Sequence, residues 1–243
     1  MFALYKKEIN SFLSSVIGYT FILIFLLTSG LFHWIISYET NLLEGAEADL
    51  IPFFNLAPLI FLILIPAITM RSFAEERRTG TIELLFTRPI SDFQIIFAKF
   101  LACYSLVIIS IIPTLIFYIS MHYLGNPVGV LDDGATLTSY FGLILLAGVF
   151  VAIGIYSSSL TNSQIVAFII SMFISWFFYD GLHLLGSFNL FESFDYIIKY
   201  FGIHLHYESI KKGVIDSADI VYFFSLICLF LFASLTMIKS LKK

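Results

Sequence analysis

The sequence predicts an all-α integral membrane protein with six transmembrane helices and with both termini on the cytoplasmic side. Its 243 residues are 59% hydrophobic and 12% charged, whereas soluble domains average roughly half apolar and a quarter charged residues. A bilayer core requires about 20 apolar residues per helix, and six stretches of the chain meet this requirement. They are Val16–Ile36, Phe53–Phe73, Phe93–Ser120, Leu137–Leu160, Gln164–Leu185 and Ile220–Ile238.

The distribution of Lys and Arg fixes the orientation of these spans. With the N-terminus inside, most basic residues fall on the inner side, and the outer loops retain only Lys199, Lys211 and Lys212. The inner basic residues are Lys6, Lys7, Arg71, Arg77, Arg78, Arg88, Lys99, Lys239, Lys242 and Lys243. Because Lys and Arg accumulate in cytoplasmic loops, this asymmetry predicts an N-in, C-in topology.

Two spans carry local features that predict their shape. The third stretch is long for a single span and contains Pro113, which predicts a tilt or a kink. The fourth stretch has small residues four apart, in the pairs Gly148/Ala152 and Gly154/Ser158. Small residues at this spacing allow neighbouring helices to approach closely, so we expect tight packing around the fourth span.

Residues 1–14 precede the first span and show a helical pattern. Apolar residues recur at spacings of three and four, with charged and polar residues between them. The apolar positions are Phe2, Tyr5, Ile9 and Phe12, and the basic ones include Lys6 and Lys7. The pattern predicts an amphipathic helix lying in the inner membrane interface; the alternative is a disordered, weakly basic tail.

Residues 74–92, called the inner segment below, form a charged island between the second and third spans. Thr79 or Thr81 is expected to cap a short helix, with Glu83 in its first turn. Gly80 is expected to separate this helix from the second span, and Pro89 to end it.

The inner segment also contains an unusually apolar run for a loop. The run consists of Ile82, Leu84, Leu85 and Phe86, and we expect it to contact lipid, other parts of the chain or a partner. Beyond it, Ser91-Asp92 is expected to cap the third span.

Residues 186–219, before the last span, carry an apolar stripe at helical spacing. The stripe comprises Phe191, Phe194, Ile197, Ile198 and Phe201. It predicts an amphipathic hairpin of short helices in the outer leaflet; the alternative is an ordinary extracytoplasmic loop.

The chain carries no motif for chemistry of its own. The P-loop pattern G-x-x-x-x-G-K-[ST] does not occur, which excludes a P-loop ATPase within this chain. We expect no catalytic, cofactor-binding or metal-binding residues. His204 and His206 are two apart and are expected to point to different faces of a helix, and Asp180 with His183 is expected to be an interfacial pair.

Two motifs resemble those of type-2 ABC exporter permeases. They are the N-terminal run Tyr5-Lys6-Lys7-Glu8-Ile9 and the longer run from Glu75 to Ser91, EERRTGTIELLFTRPIS. A third run, from His206 to Asp216 with Asp219 and Tyr222-Phe223, resembles the branch that contains the gliding-motility permease subunit and the permease of the copper-maturation system for nitrous oxide reductase.

The resemblance implies a half-transporter of six spans in the bacterial inner membrane. It implies a second permease subunit, either one with a large soluble insertion or a second copy of this chain. It also implies a separate P-loop ATPase that supplies ATP and Mg²⁺, while this chain binds no cofactor. Residues 1–14 would be the elbow helix, and residues 79–90 the coupling helix that docks in a groove of the ATPase.

The residues that the resemblance assigns to ATPase coupling are Arg77, Arg78, Thr79, Gly80, Thr81, Ile82, Glu83, Leu84, Leu85, Phe86, Arg88 and Pro89. Two other classes stay open: a secondary transporter or channel that ATP does not drive, and an intramembrane enzyme acting on lipid. Few ionisable residues lie within the spans, which disfavours ion-coupled transport. The sequence does not separate export from mechanical transmission across the membrane.

Overall fold

The computed structural model describes residues 1–36, 41–43, 49–87, 89–188 and 193–242, and the regular elements among these residues are all helical. The α-helices are α1 (Phe2–Leu13), α2 (Val16–Trp34), α3 (Ile51–Thr69), α4 (Arg71–Arg78), α5 (Ile82–Phe86), α6 (Asp92–Ile111), α7 (Leu115–Leu124), α8 (Asp133–Leu160), α9 (Gln164–Trp176), α10 (Leu182–Ser187), α11 (Ser193–Phe201), α12 (Ile203–Lys211) and α13 (Ser217–Ser240).

Six helical stretches are long and apolar enough to cross a membrane, which confirms the predicted fold class. Spans 1 to 6 are Val16–Trp34, Ile51–Arg78, Asp92–Leu124, Asp133–Leu160, Gln164–Ser187 and Ser217–Ser240. A short 3₁₀ turn at Ile112–Thr114 interrupts the α-helix of span 3 at Pro113, where the sequence predicts a tilt or a kink. The distribution of Lys and Arg predicts that the N-terminus lies on the inner side, so the end of the bundle at which the N-terminus lies is called the inner end below.

Span 4 is the central helix of the bundle. Of an 18-residue apolar stretch of span 4, 83% is buried within the protein, whereas only 28% of the corresponding stretch is buried in span 1 and in span 5. Its small residues allow this packing: a Cβ on Gly154 would lie 2.1 Å from the Thr69 hydroxyl oxygen of span 2, and one on Gly148 would lie 3.0 Å from Ile227 of span 6. The close approach predicted from the spacing of small residues is therefore confirmed.

Helices α11 and α12 fold against the outer ends of the spans. The Tyr207 hydroxyl donates to the Phe54 carbonyl over 2.9 Å, and Lys211 Nζ donates to Asn55 Oδ1 over 2.6 Å, so α12 is fixed to span 2. Although burial opposes ionisation of Glu208, hydrogen bonds and charge from Lys211 and Lys212 hold its pKa below the ordinary value. Phe191 of the predicted stripe lies outside the described residues.

The histidines of α12 point to different elements, as their spacing predicts. His206 Nδ1 lies 2.6 Å from Asp219 Oδ1 of span 6, and His204 Nδ1 lies 3.0 Å from Asp180 Oδ1 of span 5. The expected partner of Asp180 is therefore wrong: the carboxylate meets His204, while the His183 ring packs on the His204 ring at 4.3 Å. The difference arises because α12 folds back onto span 5, which local sequence does not reveal.

At the inner end, residues Phe2–Leu13 form the single helix α1. The Tyr5 hydroxyl lies 3.1 Å from Ser105 Oγ of span 3. A Cβ on Gly18 would lie 2.2 Å from the Phe12 carbonyl oxygen, so only glycine allows α1 to turn this tightly into span 1. The position of α1 in the membrane interface stays a prediction.

We predict that Gly154→Ala destabilises the protein by about 3 kcal/mol or more, because the new methyl overlaps Thr69 atoms next to the backbone of span 2. The matched control is Gly30→Ala in span 1, where an added Cβ meets nothing within 4 Å. The control should be neutral or slightly stabilising. Equilibrium unfolding in mixed micelles measures both, and equal stability of the two variants would contradict the proposed packing.

Candidate functional site

The inner end of span 2 is held by span 4. The span 2 helix is interrupted between Thr69 and Arg71, and the Ser158 hydroxyl of span 4 fills the gap. Ser158 Oγ accepts hydrogen bonds from the amides of Phe73 at 2.9 Å and Ala74 at 3.1 Å, and it donates to the Met70 carbonyl at 2.8 Å. A side chain inserted in this way replaces helical hydrogen bonds locally, and here it joins two spans.

Beyond this point, span 2 continues as α4 to Arg78, further than the sequence predicts. The Arg77 guanidinium donates to the Ser159 carbonyl over 2.8 Å, so Arg77 is a second link between spans 2 and 4. Arg78 is exposed. The chain then turns at Gly80, whose φ of 73° confirms the predicted break.

The predicted threonine cap of α5 is wrong. Thr81 occupies the N-cap position, but its backbone is helical, with φ −73° and ψ −10°, and its side chain accepts no amide hydrogen bond. An N-cap side chain reaches the first turn from an extended backbone. Instead the Thr79 hydroxyl donates to the Glu75 carbonyl over 2.9 Å, and Thr81 Oγ1 lies 2.9 Å from Thr79 Oγ1. Both hydroxyls thus contact the backbone at the end of span 2.

The other predicted cap is present at the start of span 3. Ser91 Oγ accepts from the Gln94 amide over 3.3 Å, and Gln94 Oε1 accepts from the Ser91 amide over 3.2 Å. This reciprocal capping box fixes the direction in which the chain enters span 3.

Helix α5 has one buried face and one exposed edge. Ile82 and Leu85 are 9% and 7% exposed and pack against the protein's own core. Leu84 is 67% exposed, and Glu83 beside it is also exposed. The apolar residues left for a partner are therefore Leu84 and part of Phe86, fewer than the resemblance implies.

The last turn of the chain secures the far end of the inner segment. Lys242 Nζ lies 4.6 Å from the centroid of the Phe86 ring and forms an ion pair with Asp92. Pro89 is exposed, while Arg88 and Lys243 lie outside the described residues. The inner segment is thus attached to span 6 as well as to span 4.

A buried lysine joins three elements behind α5. Lys99 of span 3 is 3% exposed, and its Nζ lies 2.7 Å from Glu76 Oε1 of span 2 and 3.6 Å from Glu8 Oε1 of α1. Its Nζ also lies 5.2 Å from the centroid of the Phe73 ring. The sequence analysis missed this cluster, although a lone lysine in an apolar span requires a partner.

These contacts join several spans to one another at the inner end. Around the exposed edge at Glu83 and Leu84, these links join spans 2, 3, 4 and 6, and the contact of Lys242 with Phe86 is made by α5 itself. The described residues contain no group of three or more His, Cys, Asp or Glu side chains placed to hold a metal ion. The arrangement suits docking and transmission of motion.

Comparison with protein families gives one match. The model of the family described as "ABC-2 family transporter protein" matches residues 2–215. This range includes α1, the first five spans, the inner segment and both outer helices. A search of curated proteins finds no match.

We predict that Lys99→Met destabilises the protein by about 3–5 kcal/mol, because it leaves the carboxylates of Glu8 and Glu76 without their buried partner. Lys6→Met, on an exposed position of α1, is the matched control and should cost little. Unfolding in mixed micelles compares the two. If Lys99→Met is as stable as the control, the ion pairs do not hold the inner end together.

Proposed function

We propose that a separate P-loop ATPase docks on the inner segment of this chain and drives it. The chain belongs to the ABC-2 transporter family and is an ABC transporter permease subunit, and the proposal rests on that membership. The observation that carries the proposal is the exposed edge of α5, where Glu83 and the 67% exposed Leu84 project from a helix whose other face is buried. A rigidly backed edge with one apolar and one charged residue suits a partner groove.

Docking would use the residues that remain exposed. Leu84 would enter the partner's groove, and Glu83 and Arg78 would set the charge complementarity at its rim, together with Arg88, which lies outside the described residues. Ile82 and Leu85 would support the helix from behind, because this chain already covers them. Arg77 would act through its bond to the Ser159 carbonyl and not at the rim.

Motion would pass from α5 into the spans along the contacts described above. ATP binding would close two ATPase subunits and displace α5, and Ser158 and Arg77 would carry that displacement from span 2 into the central span 4. The Lys242 contacts to Phe86 and Asp92 would carry it into span 6. Coupling of this kind requires an element that both sites bias between two states.

We further propose that the complex belongs to the bacterial inner membrane and to the gliding-motility branch. The resemblance of the run from His206 to Asp216 supports the branch. The second permease would be a membrane protein with a large soluble insertion, or a second copy of this chain. The complex would export a substrate or transmit force across the membrane.

Co-purification tests the proposal directly. The tagged chain, solubilised gently from native membranes, should bring with it a P-loop ATPase with measurable ATP hydrolysis and a second permease identified by mass spectrometry. A chain that purifies without a nucleotide-binding partner would contradict ATP-driven coupling and favour a channel or secondary transporter.

We predict that Glu83→Lys combined with Leu84→Asp lowers ATPase retention and permease-stimulated ATP turnover by about tenfold or more, because it reverses the charge and removes the apolar group of the docking edge. Both positions are exposed, so the fold should survive; Leu85, at 7% exposure, is unsuitable for this test.

The matched control is Val128→Asp, an exposed apolar residue on the outer side. It should leave ATPase retention and turnover unchanged. Equal turnover in the double variant and the control would rule out docking at α5.

A further inference from the structure

A cleft of about 410 Å³ lies at the inner end between α1, the inner part of span 2 and α5. Its volume falls within the roughly 300–1,000 Å³ typical of small-molecule pockets. Part of its wall is apolar and includes Leu4 and Phe12 of α1, Ile68 of span 2 and Leu85 of α5. The cleft can therefore accept a ligand that has both a polar and an apolar part.

The polar part of the wall is balanced in charge. It contains three cationic and three carboxylate side chains, which are Lys7, Arg71, Lys99, Glu8, Glu75 and Glu76. A lining of this kind does not favour a simple anion or a simple cation, because each would meet as many like charges as opposite ones. It complements a ligand that carries both charges.

Two features show where the opposite charges of a ligand would lie. Arg71 and Glu75, 36% and 34% exposed, stand side by side with 2.8 Å between Arg71 Nε and Glu75 Oε2. Glu76 Oε2 is buried and accepts no hydrogen bond from any residue in the described part of the chain. The cleft thus presents a cation and a carboxylate together, and the unpaired Glu76 oxygen lies behind its wall.

The position of the cleft indicates the source of the ligand. The cleft lies beside α1, whose Phe2 is 73% exposed. Exposed apolar side chains beside charged ones are typical of helices at the lipid headgroup layer. The molecules that combine both charges with apolar chains in that layer are zwitterionic phospholipids.

We propose that this cleft binds the headgroup of one phosphatidylethanolamine molecule. Lys7 and Arg71 contact its phosphate, Glu75 accepts a hydrogen bond from its ammonium group, and the apolar wall covers the start of an acyl chain. An ammonium group donates three hydrogen bonds, whereas a choline headgroup has no N–H to donate. The bound lipid fills the space between α1 and α5 and braces them, whether or not an ATPase is docked.

Native mass spectrometry of the chain in detergent tests the proposed lipid binding. The lipids added have identical acyl chains and differ only in their headgroups. Phosphatidylethanolamine should be retained about tenfold more than phosphatidylcholine, the ratio for about 1.4 kcal/mol. Phosphatidylglycerol, which lacks the cation, should be retained no better than phosphatidylcholine. Equal retention of the ethanolamine and choline lipids, a preference for phosphatidylglycerol, or no retained lipid would each overturn the proposal.

Substitutions then locate the bound lipid. Arg71→Gln and Glu75→Gln should each lower retention of phosphatidylethanolamine about tenfold, because each removes one charge-assisted contact. Both residues are partly exposed and form a surface pair, which contributes little to stability, and unchanged unfolding midpoints would verify folding. Arg78→Gln, an exposed arginine outside the cleft, is the control. Equal losses in Arg71→Gln and Arg78→Gln would refute binding in the cleft.

Discussion

The contact between spans 2 and 4 is the constraint on which the inner end of this protein depends. Gly154 lets the two helices meet at Thr69, and one turn later the Ser158 hydroxyl completes the interrupted hydrogen bonding of span 2. Backbone groups that leave the helical ladder within a membrane protein must be satisfied by the protein itself. The interruption of the ladder at Met70 and the contact with Ser158 therefore depend on each other, and together they hold α4 against span 4.

The features that local physics controls could be predicted from the sequence. Bilayer thickness fixes span length, so hydropathy alone located all six spans. Proline geometry predicted the break at Pro113, serine chemistry predicted the cap at Ser91, and a glycine with positive φ confirmed the turn at Gly80. Each of these depends on residues within a few positions of one another.

The features that the sequence analysis missed depend on contacts between distant elements. The sequence left open whether the apolar run of α5 contacts lipid, a partner or the chain itself, and only the packed bundle shows that the chain covers Ile82 and Leu85. Asp180 meets His204 because α12 folds back onto span 5. The Thr81 cap failed because the chain enters α5 from a tight helical turn, so the hydroxyl points back towards span 2.

The Lys99 cluster shows why a charged contact suits this junction better than an apolar one. Buried ion pairs contribute little net stability over well-packed apolar groups, because desolvation opposes the Coulomb attraction. An apolar contact, however, tolerates small sliding movements, whereas Lys99 must stay between Glu8 and Glu76 or leave charges unpaired. Sliding of α1 or span 2 against span 3 is therefore costly, and the three elements move together. Under the proposed function, a displacement of α5 would then reach these elements as a concerted movement, which is the property that a transmission element requires.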